Sequence, residues 1–89
     1  MRKIHRTTQF KKDIKRMSKR GKNFSDFKII LSKLASGIQL ELKYNDHLLF
    51  GQHRGTRECH IEPDWLLIYE INTDDLILVR TGSHADLFK

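Results

Sequence analysis

Arg57-Glu58-Cys59-His60-Ile61-Glu62-Pro63-Asp64-Trp65-Leu66-Leu67-Ile68-Tyr69-Glu70-Ile71-Asn72-Thr73-Asp74-Asp75-Leu76-Ile77-Leu78-Val79-Arg80 is the stretch from which the fold can be read. Its first third alternates. Arg57, Cys59 and Ile61 point one way, and Glu58, His60 and Glu62 the other, as successive side chains on a strand must. Pro63-Asp64 supplies a turn. Residues 65–71 are too apolar for an edge and read as a central strand. Asn72 to Asp75 reads as a hairpin turn, and residues 76–80 as the last strand. Together they predict an antiparallel meander whose Cys59/Ile61 side is covered and whose Glu58/His60 side is partly open.

The cover lies upstream. Phe10, Ile14 and Met17 recur at helical spacing, with Lys12, Lys15, Arg16 and Lys19 on the far side. A hydroxyl of Thr7 or Thr8 can cap this helix, and Gly21 ends it. A second helix starts near Ser25, carries Phe27, Ile30, Leu31 and Leu34 on one face, and stops at Gly37. Neither helix can bury its stripe alone, so both need the sheet. Residues 2–6 read as an edge strand and residues 38–56 mostly as an extended connection. Residues 84–88 form a short tail whose Leu87 and Phe88 fold back on the sheet. The expectation is an α+β fold, β-α-α-β-β-β, with two helices packed on one face of a mainly antiparallel sheet. A chain of 89 residues has room for a single domain, 1–89.

Composition narrows the function. Charged residues make up 31% and hydrophobic residues 38%, and no apolar run approaches the roughly 20 residues needed to span a bilayer. The lone cysteine, Cys59, cannot form an internal disulfide, and the N-terminus lacks an apolar signal segment, which points to the cytoplasm. Residues 1–33 hold 12 Lys/Arg against 2 Asp/Glu, whereas residues 34–89 hold 5 against 9. A basic N-terminal half suits a polyanion, with Lys11, Lys12, Lys15 and Lys19 as its contacts. The same lysines would suit a merely solvated helix surface.

The C-terminal half carries the chemistry. RNA is cut when its own 2′-hydroxyl attacks the adjacent phosphorus, which needs a base, a cation for the phosphate and an acid for the departing 5′-oxygen. His47, His60 and His84 are candidate proton carriers, Glu58 and Asp64 candidate partners that orient them, and Arg80 a candidate phosphate clamp. Arg54 and Arg57 either contact RNA backbone or pair with Glu58 or Glu62. His5 and His53 have no evident partner and read as solvated, and Trp65 reads as a core aromatic. Cys59 and His60 point to opposite faces and cannot share an ion. A three-histidine metal centre is conceivable, but no paired Cys/His spacing marks a zinc site, so the expectation is no metal and no cofactor.

At these residues a resemblance can be stated. Asp46-His47-x-Leu49-x-Gly51, then Gly55-x-Arg57-Glu58-x-His60-Ile61-Glu62-Pro63-Asp64-Trp65, then Arg80-Thr81-Gly82-x-His84-x-x-Leu87-Phe88 resembles the YafQ toxins, a branch of the RelE/ParE superfamily of bacterial toxin–antitoxin systems. The match in spacing runs from about residue 45 onward, while the first half agrees in helix layout and basicity. The resemblance implies a toxin that cleaves messenger RNA in the ribosome. It further implies neutralisation by a DinJ-like antitoxin and repression of operator DNA by the complex of the two. Carried over position by position, it implies an active centre of His47, Glu58, His60, Asp64 and His84, shaped by Phe88, with Arg80 on phosphate. Glu58 departs from the Asp that the family can carry there, so its orienting role rests on a longer side chain.

Two rivals share the fold. A ParE-like toxin that binds DNA gyrase needs no histidine constellation, and a nucleic-acid-binding co-repressor would not be toxic alone.

Overall fold

The computed structural model describes residues 1–50 and 55–88. Strand β1 (Lys3–Arg6) leads into helix α1 (Thr8–Lys19), then α2 (Ser25–Ser36), a 3-10 turn (Leu42–Tyr44) and a two-residue strand β2 (His47–Leu48). Strands β3 (Arg57–Glu62), β4 (Trp65–Ile71) and β5 (Asp75–Gly82) follow, and then a single turn of helix, α3 (His84–Leu87). The sheet order is β1-β5-β4-β3-β2. All its pairings are antiparallel except β1 with β5, so the α+β expectation holds with a mixed sheet of five strands.

Local chemistry sets the boundaries. Thr7, rather than Thr8, caps α1, its hydroxyl accepting from the Phe10 N–H. Gly37 ends α2 at φ 75°, a left-handed conformation that costs glycine little. The helices meet where the Phe10 and Phe27 rings stack at 6.2 Å, and Phe27 stacks in turn on Trp65 at 6.1 Å. Met17, Ile30, Cys59, Leu67, Tyr69, Leu76 and Leu78 complete this core. Trp65 is fully buried, as the sequence suggested, and donates its indole N–H to Thr81 Oγ1.

Three elements depart from expectation. The connection 38–56 contains the 3-10 turn and β2, because His47 pairs with Glu58 and Leu48 with Arg57. Strand β5 runs on to Gly82, since a bulge at Val79 lets Ile68 pair with Arg80 directly after Tyr69 has paired with Leu78. The tail is helical at 84–87, and Phe88 remains 43% exposed rather than tucked onto the sheet. His5 also departs: its Nε2 lies 2.8 Å from Asp75 Oδ1, so it is paired while still exposed.

Candidate active site

Strand register assembles the site before any side chain is considered. Glu58 pairs with Ile68, which pairs with Arg80, and His60 pairs with Leu66, which pairs with Gly82. Paired residues on adjacent strands share a face. The side chains of Glu58 and His60 therefore lie on the side away from α1 and α2, and the β2–β3 pairing adds His47 to that side. Leu66 and Ile68 form its apolar floor and are fully buried.

Glu58 is the hub. It is only 5% exposed, and one of its oxygens, Oε1, lies 3.2 Å from His60 Nε2 and 3.4 Å from His47 Nε2. His47 donates its other nitrogen, Nδ1, to the Asn45 carbonyl at 2.7 Å. Both His47 nitrogens thus face acceptors. The His60 ring lies 6.2 Å from that of His47 and 5.8 Å from that of His84. Three imidazoles therefore form a continuous row. His84 Nδ1 donates to Asp64 Oδ1 at 2.7 Å, which leaves Nε2 for a substrate, and Phe88 flanks the same ring at 6.5 Å. Asp64 is held below the usual carboxylate range, first by the His84 backbone N–H and then by the ring. Behind His60 a cavity of about 250 Å³ opens between Asp26, Lys43, Tyr44 and Glu62.

The structure brings together His47, Glu58, His60, Asp64, His84 and Phe88. Arg57 lies apart from this group, and its partner is Asp46 rather than Glu58 or Glu62. On the opposite side of β3 from Glu58, its Nε donates to Asp46 Oδ1 at 3.2 Å, beside the Tyr69 hydroxyl that donates to the same oxygen. Cys59 is equally remote, and burial pushes its thiol well above the usual range. His53, Arg54 and Gly51 lie outside the described residues. Lys11, Lys12, Lys15 and Lys19 are all exposed on α1.

Arg80 has a partner that sequence reading missed. Strand β1 ends at Arg6, so beyond Leu78 the β5 edge has no strand beside it among the described residues. Asp13 of α1 takes that place. Its carboxylate accepts the Thr81 N–H at 3.1 Å and Arg80 through Nε at 2.8 Å and Nη2 at 3.1 Å. Arg16 and Gln9 add further bonds to it. Burial pulls the Asp13 carboxyl upward, but the hydrogen bonds from Arg80, Thr81 and Gln9 outweigh it and leave the group below its ordinary value. A signal did exist: Asp13 lies three residues after Phe10 and four before Met17, on the apolar stripe.

The chain matches, over residues 2–89, the model of the bacterial toxin of type II toxin–antitoxin systems, YafQ. It is 40% identical over 86 residues to the mRNA interferase toxin YafQ of Escherichia coli K12, covering 96% of this chain and 94% of that one. Among solved structures it superposes on the E. coli DinJ–YafQ complex with a TM-score of 0.92 at 39% identity, covering all of both chains. A metal-bound toxin from Helicobacter pylori gives a TM-score of 0.92 at 40% identity over 99% of this chain and 100% of that one. Among the described residues no group of three or more His, Cys, Asp or Glu side chains is spaced to hold an ion. Each site histidine instead has a ring nitrogen on a carboxylate. A family match that spans nearly the whole chain, with relatives sharing its sequence and fold over the same length, settles descent: the chain belongs to the YafQ toxin family.

Proposed function

We propose that this chain is the toxin of a type II toxin–antitoxin system, an mRNA interferase that cuts messages on the ribosome in the cytoplasm by histidine and carboxylate acid–base chemistry. The observation that carries the reading is the row of His47, His60 and His84 on one sheet face, bracketed by Glu58 and Asp64. An RNA backbone laid along it meets, in one place, groups able to take the 2′-hydroxyl proton and to return one to the 5′-oxygen. His84, with Nδ1 committed to Asp64 and Nε2 outward, is suited to the acid, with His60 as its alternate. His47 serves as base or positions the substrate. Relatives named mRNA interferases favour this reading over gyrase binding or repression alone.

Charge supports the phosphate role of Arg80. Asp13 and Asp86 face Arg80, Arg16 and Arg20, so two carboxylates are set against three guanidiniums and a net positive charge remains beside β5. Asp13 engages Nε and Nη2 of Arg80, and Nη1 can reach a phosphate oxygen.

The partner is a DinJ-like antitoxin. A groove of about 590 Å³ between α1 and α2 has Phe10, Ile14, Phe24, Phe27 and Leu31 as its floor, and Arg6, Lys11, Lys15 and Lys28 on its rim. That combination fits an amphipathic acidic segment. The antitoxin complex in turn contacts operator DNA.

The test is primer extension on a translated message, with and without the protein. Breaks within the reading frame that vanish when ribosomes are omitted support the reading. Unbroken message, or breaks indifferent to ribosomes, overturns it.

A further inference from the structure

We propose that Arg20 and Asp86 form a latch that positions His84 for the reaction, Arg20 acting from the C-terminal cap of α1 through Asp86 of α3. The inference rests on the reading of His84 as part of the reacting centre. Helix α3 is a single turn, too short to persist by its own hydrogen bonds, and none of its residues is buried. Burial alone therefore gives His84 a weak hold, and polar links add to it.

One link is Asp64, but that carboxylate stands on an exposed turn with its side chain 69% accessible. The other runs to a rigid element. Arg20 Nη1 donates to Asp86 Oδ2 at 2.7 Å and Nη2 to Oδ1 at 3.0 Å, a two-pronged fork of fixed geometry. Arg16 Nε adds an ion pair at 3.8 Å. The same carboxylate accepts the Ser83 N–H at 2.9 Å while the Asp86 N–H donates to Ser83 Oγ, which closes a capping box directly before His84. Helix α1 is itself anchored in the core by Phe10 and Met17. Gly82 completes the seat: a Cβ there would stand 2.9 Å from Asp86, so a larger residue would lift α3 away.

The Asp86 side chain is 15% exposed and that of Arg20 41%, and pairs so accessible add little to global stability. The latch is therefore expected to show in rate more than in melting. Arg20 and Asp86 are positioning residues and touch no reacting atom.

The experiment measures kcat, KM and melting temperature on ribosome-bound message for Arg20→Ala, Asp86→Ala, their double variant and His84→Ala. Each single variant is expected to lower kcat by roughly 10- to 100-fold, the size of effect a small misplacement of a reacting group produces. KM should stay within about twofold and melting within a few degrees, as for an exposed ion pair. The double variant should be no worse than Asp86→Ala alone, since both act through one carboxylate. Wild-type kcat in both singles, with His84→Ala inactive, overturns the latch alone. Full activity in His84→Ala overturns the underlying reading of the site. A rate loss matched by a collapse in melting overturns positioning in favour of a structural role.

Discussion

His84 is bound twice by one oxygen of Asp64, through its backbone N–H at 2.9 Å and its ring Nδ1 at 2.7 Å. The double contact fixes both where the ring starts and which nitrogen it presents. His84→Ala is expected to lose the roughly 10²- to 10⁴-fold that a positioned acid–base group contributes, and Asp64→Ala part of it. Both should remain folded, because both side chains are exposed. Cleavage rate measured beside circular dichroism checks this, and an unfolded His84→Ala would make the residue structural.

Asp13 carries the opposite kind of prediction. It is fully buried with Arg80, Arg16 and the Thr81 N–H around it, so removing it leaves charge and an edge N–H uncompensated. Asp13→Ala is expected to cost about 3 kcal/mol, as breaking buried ion pairs does. For a domain of this size that lowers the melting temperature by roughly 10 °C or more. Melting unchanged within two or three degrees, a margin of about half a kcal/mol, would contradict this.

Acid should unfold the protein through these same carboxylates. Asp13, Asp64 and Asp86 all lie below their ordinary values when folded. Hydrogen bonding from Arg20 is the main cause for Asp86. In the unfolded chain such groups titrate near pH 4. Between that value and the lower folded ones the unfolded state holds more protons, so stability is full above about pH 4 and falls as pH drops. Urea melts from pH 7 to pH 2 should show this, and Asp13→Asn, at the fully buried carboxylate of the three, should flatten the acid slope.

The lysines of α1 should act through salt. Replacing Lys11, Lys12, Lys15 and Lys19 by Gln is expected to weaken ribosome binding and to reduce its log–log salt slope, by up to roughly one unit for each phosphate no longer neutralised. Cleavage of message already bound should change little. An unaltered slope would remove the basic helix from the interface.

Much of this arrangement could be read from residue patterns. Alternation through 57–62 puts Glu58 and His60 on the face away from the helices, where the fold has them, with Cys59 and Ile61 in the core. Strand β2 escapes such reading because two residues carry no periodicity; only their pairing with Arg57 and Glu58 makes them a strand. The last strand reads short because Thr81 and Gly82 look like the lead into the tail, and only their pairing with Leu67 and Leu66 makes them strand. Asp13 and Asp86 are hard to single out, being charges in charged surroundings. Yet Asp13 shares the Phe10/Met17 stripe, and Ser83-x-x-Asp86 has the capping-box spacing. Long-range partners such as Arg20 with Asp86, 66 residues apart, leave no local trace at all.

The claim that three imidazoles serve one reaction is tested most directly by a mutant cycle on His60 and His84, reading single-turnover cleavage of ribosome-bound message. Residues that act as a unit are strongly non-additive, so H60A/H84A is predicted to be no slower than the slower single variant. Rate losses that multiply, or a wild-type rate in either single variant, would contradict a shared centre.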